Sequence, residues 1–168
     1  TVEVMRPAFK VVSVFDISQT DGKELPDIIV DELSGSVENY AAFFEALTQI
    51  SPVPIAFEDI SGGAKGYYHL EDRRIAIQKG MSEIQTIKTA IHEIAHAKLH
   101  AINPDEKAAP EDRKDRHTKE VEAESVAYTV CQRYGIETSD YSFGYIAGWS
   151  SDKETKELKG SLETIRST

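Results

Sequence analysis

The chain has 168 residues, of which 40% are hydrophobic and 29% charged, so it can build one core and wholesale disorder is excluded. Its 29 acidic and 19 basic residues give a formal charge of −10, which disfavours direct binding of nucleic acid by this segment. No apolar run approaches the roughly 18 residues that span a bilayer, and no signal-peptide pattern opens the chain, so we expect no membrane partner.

Cysteine usage and the chain ends bear on location and domain organisation. Cys131 is the one cysteine, which excludes an internal disulfide and is typical of a reducing compartment, so we predict a cytoplasmic protein. The length fits a single domain over residues 1–168. Because the sequence begins with Thr1 and its last residues still have a helical pattern, we expect the domain to belong to a longer parent chain whose other domains are partners.

The first half of the sequence favours short strands around one helix. Residues 8–17 are rich in β-branched and aromatic side chains, which predicts a strand. Apolar residues at three- and four-residue steps predict a helix over 37–50 with Ser36 as its cap. Three further strands are predicted at 53–57, 66–70 and 73–78, the last two as a hairpin.

The second half has the hydrophobic period of helices. Ser82 and Gln85 form a capping-box pattern at the start of the most regular apolar stripe. A polar loop at 103–116 separates this helix from the next, for which Thr118 is the expected cap and Gly135 the end. Two shorter helices are predicted at 141–149 and 152–165. Strands followed by helices indicate an α+β fold class.

Residues 92–96 form the motif HExxH inside the most regular predicted helix. Positions i and i+4 lie one turn apart on the same face, so the imidazoles of His92 and His96 can converge on one Zn²⁺. Glu93 between them is then the general base that takes a proton from water. On a helical wheel the two histidines flank the apolar stripe, as expected for a metal between a packed helix and a cleft.

A catalytic zinc requires a third protein ligand and one open position. A metzincin would have a histidine six residues after His96, but Ile102 occupies that position, which excludes the class. The alternative is a glutamate on the following helix. Periodicity leaves Glu120 and Glu124 on one edge of its apolar face and predicts that Glu122 is solvated.

The spacing of these residues resembles a known family. HExxH followed about two dozen residues later by Glu120, Ala123, Glu124 and Ala127 resembles the gluzincin arrangement of ImmA/IrrE-type metallopeptidases. It is also similar to the metallopeptidase domain of ArdC-type antirestriction proteins and LtrC-like mobile-element proteins, which residues 9–22 and 148–152 resemble too. His100 completes the HxxLH ending common among the ImmA/IrrE-type proteins.

The resemblance implies a zincin-like α+β fold, in which a small antiparallel or mixed sheet precedes the HExxH helix and a second ligand-bearing helix follows. It implies Zn²⁺ as the cofactor, with His92, His96 and Glu120 as ligands and Glu93 as base. Glu124 is then the acceptor that orients a ligand histidine. The implied function is a zinc-dependent peptidase of gluzincin type, acting on a cytosolic protein or peptide.

Four further side chains are candidates for contact with substrate or for stabilising an oxyanion. Tyr67, Tyr68 and His69 lie on the predicted hairpin, where zincins present an edge strand to an extended peptide. His100 lies one turn beyond His96, at the rim of the site or as a cation at the helix C-terminus. Without such roles, these residues pack or are solvated.

Two other functions stay open from the sequence. A non-catalytic zinc-stabilised interaction domain of a mobile-element or antirestriction protein would use a fourth protein ligand in place of water. A metal-free scaffold would leave both motif histidines solvated.

Overall fold

The computed structural model describes residues 33–101, 114–139, 142 and 155–168. Its elements in chain order are α1 (Tyr40–Ile50), β1 (Ile55–Glu58), β2 (Gly66–His69), β3 (Arg74–Gln78), α2 (Glu83–Leu99), α3 (Arg116–Arg133) and α4 (Thr155–Ser167). The architecture is α+β with a small mixed sheet, which confirms the predicted fold class. The strand predicted at 8–17, most of the loop at 103–116 and, except for residue 142, the helix at 141–149 lie outside the described residues.

The sheet has three strands in the order β1-β3-β2 within the described part of the chain. The central strand β3 is parallel to β1 and antiparallel to β2, and Ile75 pairs with Ile55 on one side and with Tyr68 on the other. Ile75 and Ile77 are fully buried in the core. The predicted hairpin is confirmed: Arg73 in the tight turn between β2 and β3 has a positive φ of 49°.

Helix α2 begins where the capping pattern predicts. The Ser82 hydroxyl accepts a hydrogen bond from the Gln85 backbone N–H at 3.1 Å, which satisfies one of the free donors of the first turn. Its stripe, including Ile87 and Ile91, packs into the core with the sheet and α3. Each such isoleucine contributes about 1.5–3 kcal/mol by burial. This packing fixes the place of α2 against the sheet and α3.

Two predicted caps are wrong. Helix α1 begins at Tyr40 and not at residue 37, because residues 37–39 form a turn and Asn39 in the left-handed region is the N-cap. Helix α3 begins at Arg116, because the Asp115 carboxylate accepts hydrogen bonds from the Thr118 backbone N–H at 2.7 Å and from its hydroxyl at 3.0 Å. A carboxylate at a helix N-terminus is also favoured by the helix dipole.

The interior includes the single cysteine. Cys131 on α3 is fully buried, as predicted, and burial raises the pKa of its thiol to about 12. None of the helices in the described residues is long and apolar enough to cross a membrane.

Candidate metal centre

Helices α2 and α3 bring His92, His96 and Glu120 together, half-buried, at their shared surface. The two imidazole Nε2 atoms lie 3.1 Å apart. Glu120 Oε2 lies 3.4 Å from His92 Nε2 and 3.5 Å from His96 Nε2. Three donor atoms from two helices therefore form a nearly equilateral triangle.

This triangle fits a divalent metal. Bonds of about 2.0–2.1 Å in a tetrahedron place neighbouring donors about 3.3 Å apart, which lies within the spread of the three observed separations. Two imidazole nitrogens and one carboxylate oxygen are also a donor set that zinc accepts. Among the described residues this group has three members, so these residues alone leave the fourth corner of a tetrahedron unfilled.

The electrostatics of the group favour a positive charge between its members. Burial lowers the pKa of His92, but hydrogen bonds with Glu120 and Glu124 outweigh burial and raise this pKa to about 9. Pairing with His92 and His96 lowers the pKa of Glu120. At neutral pH Glu120 is therefore a carboxylate, the form that binds a metal.

Glu93 lies beside the group, under the edge strand. Its side chain is buried, and the Tyr68 backbone forms a hydrogen bond with it. Burial raises the pKa of Glu93, whereas the neighbouring His92 and His96 lower it, and the net result is a raised pKa. A carboxylate whose pKa is raised toward neutrality is a better general base than an exposed one.

Gly66 allows β2 to approach this glutamate closely. A Cβ atom at residue 66 would lie 2.6 Å from Thr89 Cγ2 and 3.3 Å from Glu93 Cγ. Only a glycine fits at that separation. Helix α2 and the start of β2 are thus in direct contact at Glu93.

Glu124 lies behind the group. Its carboxylate accepts hydrogen bonds from His92 Nδ1 at 3.1 Å, from Lys88 Nζ at 2.6 Å and from Ser142 Oγ at 2.6 Å. Burial raises the pKa of Glu124, but these partners lower it to about 2. Glu120 faces both Nε2 atoms and Glu124 faces Nδ1, so the geometry separates the two candidates that periodicity left open.

The prediction that Glu122 is solvated is wrong. Its side chain is 0% exposed and accepts hydrogen bonds from His100, Lys114 and Ser161. Burial raises the pKa of Glu122, but these hydrogen bonds outweigh burial and lower it. The periodicity of α3 could not reveal this environment, because α4 covers that side of α3 and lies 39 residues further along the chain.

His100 also differs from its predicted role. Its side chain is 5% exposed and lies between His96 Nδ1 and the Glu122 carboxylate, 3.0 Å from each. This position is behind His96, on the side away from the Nε2 triangle. The expected contact of His100 with substrate is therefore wrong, because His100 contacts His96 instead.

The face of the sheet corrects the expectation for two hairpin residues. Gly66 faces α2, and because side chains alternate along a strand, Tyr68 shares that face while Tyr67 and His69 point to the opposite one. Tyr67 Oη donates to Glu58 at 3.0 Å. Tyr67 and His69 are thus turned away from α2, and of the three hairpin candidates Tyr68 alone faces it.

The sequence did not identify Lys88 and Ser142 as residues of this site. Together with His92, they donate hydrogen bonds to the Glu124 carboxylate. The side chain of Lys88 is 4% exposed and pairs with that of Glu124, which is 2% exposed. A signal for Lys88 existed: it lies one helical turn before His92, at the edge of the apolar stripe, where a lysine needs a buried counter-charge. No comparable signal marks Ser142.

Comparison with known proteins gives one relative and one solved structure. An uncharacterized protein of Bacillus anthracis, pXO2-81, is 31% identical in an alignment that covers 88% of this chain and 27% of that protein. The Mn(II)-bound crystal structure of the antirestriction protein ArdC from plasmid R388 has a TM-score of 0.53 and 24% identity. That match covers 89% of this chain and 56% of the ArdC chain, and it shows a shared fold.

The chain thus spans about a quarter of the Bacillus relative and just over half of ArdC. A family model for the IrrE N-terminal-like domain, Peptidase_M78, matches residues 49–135. The matched segment is more than half of the chain and contains the sheet, α2 and α3, and therefore His92, His96 and Glu120. The chain belongs to the IrrE N-terminal-like family.

Proposed function

We propose that this chain is a zinc-dependent peptidase domain that hydrolyses a peptide bond of a cytosolic protein. The observation that carries the proposal is the triangle of His92, His96 and Glu120, with edges of 3.1–3.5 Å and no fourth ligand among the described residues, beside a buried glutamate. Membership of a peptidase-type family and the ArdC-like fold support it.

The donor set would hold zinc through His92, His96 and Glu120. When bound, such a cation supplies the Lewis acidity that polarises a peptide carbonyl and acidifies a water molecule. Two imidazoles and a carboxylate suit zinc, but manganese is bound in the ArdC structure, so binding of both metals has to be measured.

Glu93 carries the proton transfer in this proposal. Its carboxylate accepts a proton from the attacking water and returns it to the leaving amine. Burial prepares Glu93 by raising its pKa, and the Tyr68 backbone fixes its orientation.

The edge strand β2 supports a peptide as the substrate. It ends the sheet order, and its outer side has no strand partner within the described residues. An extended peptide can add to such an edge through main-chain hydrogen bonds, next to Glu93.

The net charge of −10 argues against nucleic acid as the partner, so tight salt-dependent binding of single-stranded DNA by this chain would contradict our view.

The test compares Glu93→Gln with ligand variants. Glu93→Gln is expected to retain one zinc per chain and to lose hydrolysis of a fluorescent casein by about 10²–10⁴-fold, because the base is gone while the donors stay. His92→Ala and Glu120→Ala are expected to lose the metal. Glu45→Gln, on the exposed face of α1, is the matched control and should change nothing. Hydrolysis by Glu93→Gln at the wild-type rate would refute the assignment of the base.

The alternative function is a zinc-stabilised interaction domain without turnover. The buried carboxylates Glu122 and Glu124 favour it in one respect, because their hydrogen bonds join α2, α3 and α4 and so stabilise the packing of these helices. A wild-type protein that binds zinc through a fourth protein ligand and cleaves no peptide would support this alternative.

A further inference from the structure

Nδ1 is the ring nitrogen of His96 that does not face the triangle, and hydrogen bonds connect it through His100 to the buried carboxylate of Glu122. His96 Nδ1 lies 3.0 Å from His100 Nδ1, and His100 Nε2 lies 3.0 Å from Glu122 Oε2. The side chains of His100 and Glu122 are 5% and 0% exposed, so water does not compete for these contacts. The three side chains form a continuous chain of hydrogen bonds.

Glu122 can only accept in this chain. Lys114 Nζ donates to both of its carboxylate oxygens, at 2.7 and 2.8 Å, and Ser161 Oγ donates to Oε1 at 2.7 Å. An ammonium group can only donate, and three hydrogen bonds donated to the two oxygens of Glu122 stabilise its ionised carboxylate. The hydrogen between His100 and Glu122 therefore belongs to His100 Nε2.

The position of that hydrogen determines the remaining ones. A neutral imidazole that donates through Nε2 accepts through Nδ1. With His100 neutral, the hydrogen between the two rings belongs to His96 Nδ1, and the lone pair of His96 Nε2 is directed toward His92 and Glu120. This is the tautomer that a metal ligand needs.

We propose that His100 and Glu122 form a relay that fixes the tautomer and orientation of His96, which makes His100 a positioning residue of the metal centre. The inference rests on the proposed function, because it treats His96 as a metal ligand. The relay is the counterpart of Glu124, which contacts His92 Nδ1 directly at 3.1 Å. Through Ser161, the relay also makes the geometry of His96 depend on the packing of α4.

The test uses three substitutions of His100 that separate the acceptor from the bulk of the ring. His100→Phe keeps the ring and removes the acceptor. His100→Asn places an amide oxygen where Nδ1 lies and can still accept from His96. His100→Gln places its amide near the former Nε2, beyond reach of His96. His117→Phe, an exposed position on α3, is the matched control.

The first measurement is zinc affinity by competition with a chromophoric chelator. We expect His100→Phe and His100→Gln to weaken binding about 10- to 100-fold, the usual effect of removing such a partner, and His100→Asn to recover most of the loss. His117→Phe should match wild type. Equal affinity of the Asn and Gln variants would overturn the relay, because a role in packing or general polarity does not distinguish them. If the Phe variant does not fold, as judged by circular dichroism, the Asn and Gln pair decides.

The second measurement separates failure of the relay from failure of the proposed function. Long-range ¹H–¹⁵N spectra of the metal-free protein report which nitrogen of His96 carries hydrogen. We expect Nδ1–H in wild type and in His100→Asn, and loss of that preference in His100→Gln. A wild-type protein with His96 in the Nε2–H form overturns the relay whether or not zinc binds. Absence of zinc binding with the expected spectra overturns the metallopeptidase proposal and leaves the relay supported.

Discussion

Glu120, Glu122 and Glu124 lie within five residues of α3, and each carboxylate faces a different partner. Glu120 faces the Nε2 atoms of both motif histidines, Glu124 faces His92 Nδ1, and Glu122 faces His100. The pKa of each of the three is lowered, with a different set of donors. The role of each of these three glutamates is therefore determined by the side chains that its carboxylate contacts.

Proton release on metal binding tests the electrostatics of His92. Its pKa is raised from 6.5 to about 9, so the metal-free protein holds this proton at pH 7.5 and must lose it when a metal binds. We expect His92 to release about one proton per zinc at pH 7.5, in addition to the proton that an acidified metal-bound water gives up, measured by calorimetry in buffers of different ionisation enthalpy. Zinc affinity should therefore rise with pH up to about 9. Binding at pH 7.5 without proton release would contradict the raised pKa.

Removal of Lys88 tests the buried ion pair. In Lys88→Met, the carboxylate of Glu124 loses the lysine with which it is buried and keeps His92 and Ser142 as donors, so we expect a loss of about 3 kcal/mol, the lower end for a broken buried ion pair, in the free energy of unfolding of the metal-free protein. Urea denaturation measures it. The control is Lys79→Met, because the pair of Lys79 with Asp59 is exposed and should contribute about 0–1 kcal/mol. Equal losses for the two variants would contradict a buried pair.

At the scale of elements, helices α2 and α3 hold the candidate ligands and β2 lies over the candidate base. Because α2 packs on both the sheet and α3, its two histidines have fixed neighbours on either side. Gly66 is the point of closest approach between β2 and α2. A single methyl group added at residue 66 would therefore push β2 and α2 apart.

Two glycine substitutions of opposite sign test that separation. Gly66→Ala is expected to destabilise the protein by about 1–3 kcal/mol, because the new Cβ would lie 2.6 Å from Thr89 Cγ2 and 3.0 Å from the Ala76 carbonyl oxygen. Gly160 lies inside α4, where an added Cβ would have no heavy atom within 4 Å. Gly160→Ala is therefore expected to stabilise the protein by about 0.5–1 kcal/mol. Thermal unfolding measures both. A Gly66→Ala protein as stable as wild type would contradict the close approach of β2 to α2.

Local patterns predicted some elements well and others not at all. The start of α2 and the hairpin follow from signals within a few residues, the Ser82 cap and the short turn before β3. The helical wheel of α3 predicted that Glu120 and Glu124 lie near the core. It could not decide which of them is the candidate metal ligand, because that depends on the histidine nitrogen that each carboxylate contacts. The burial of Glu122 depends on Ser161, which no local pattern connects to α3.

At the scale of the whole molecule, the chain is acidic, and its candidate metal centre includes one half-buried carboxylate, that of Glu120. It spans about a quarter of the Bacillus relative and just over half of ArdC, so the activities and partners of those longer proteins are separate questions. Single-domain organisation over residues 1–168, cytoplasmic location and a protein or peptide partner stay predictions.

The most direct test of the account is the position of the metal in a crystal of this chain grown with Zn²⁺. We expect one anomalous difference peak, recorded at the zinc edge, about 2.0–2.2 Å from His92 Nε2, His96 Nε2 and a Glu120 oxygen, with a water at the fourth position. Crystals of Glu120→Ala should lose this peak. A wild-type crystal without density between the three donors, or with zinc bound elsewhere, would contradict the account.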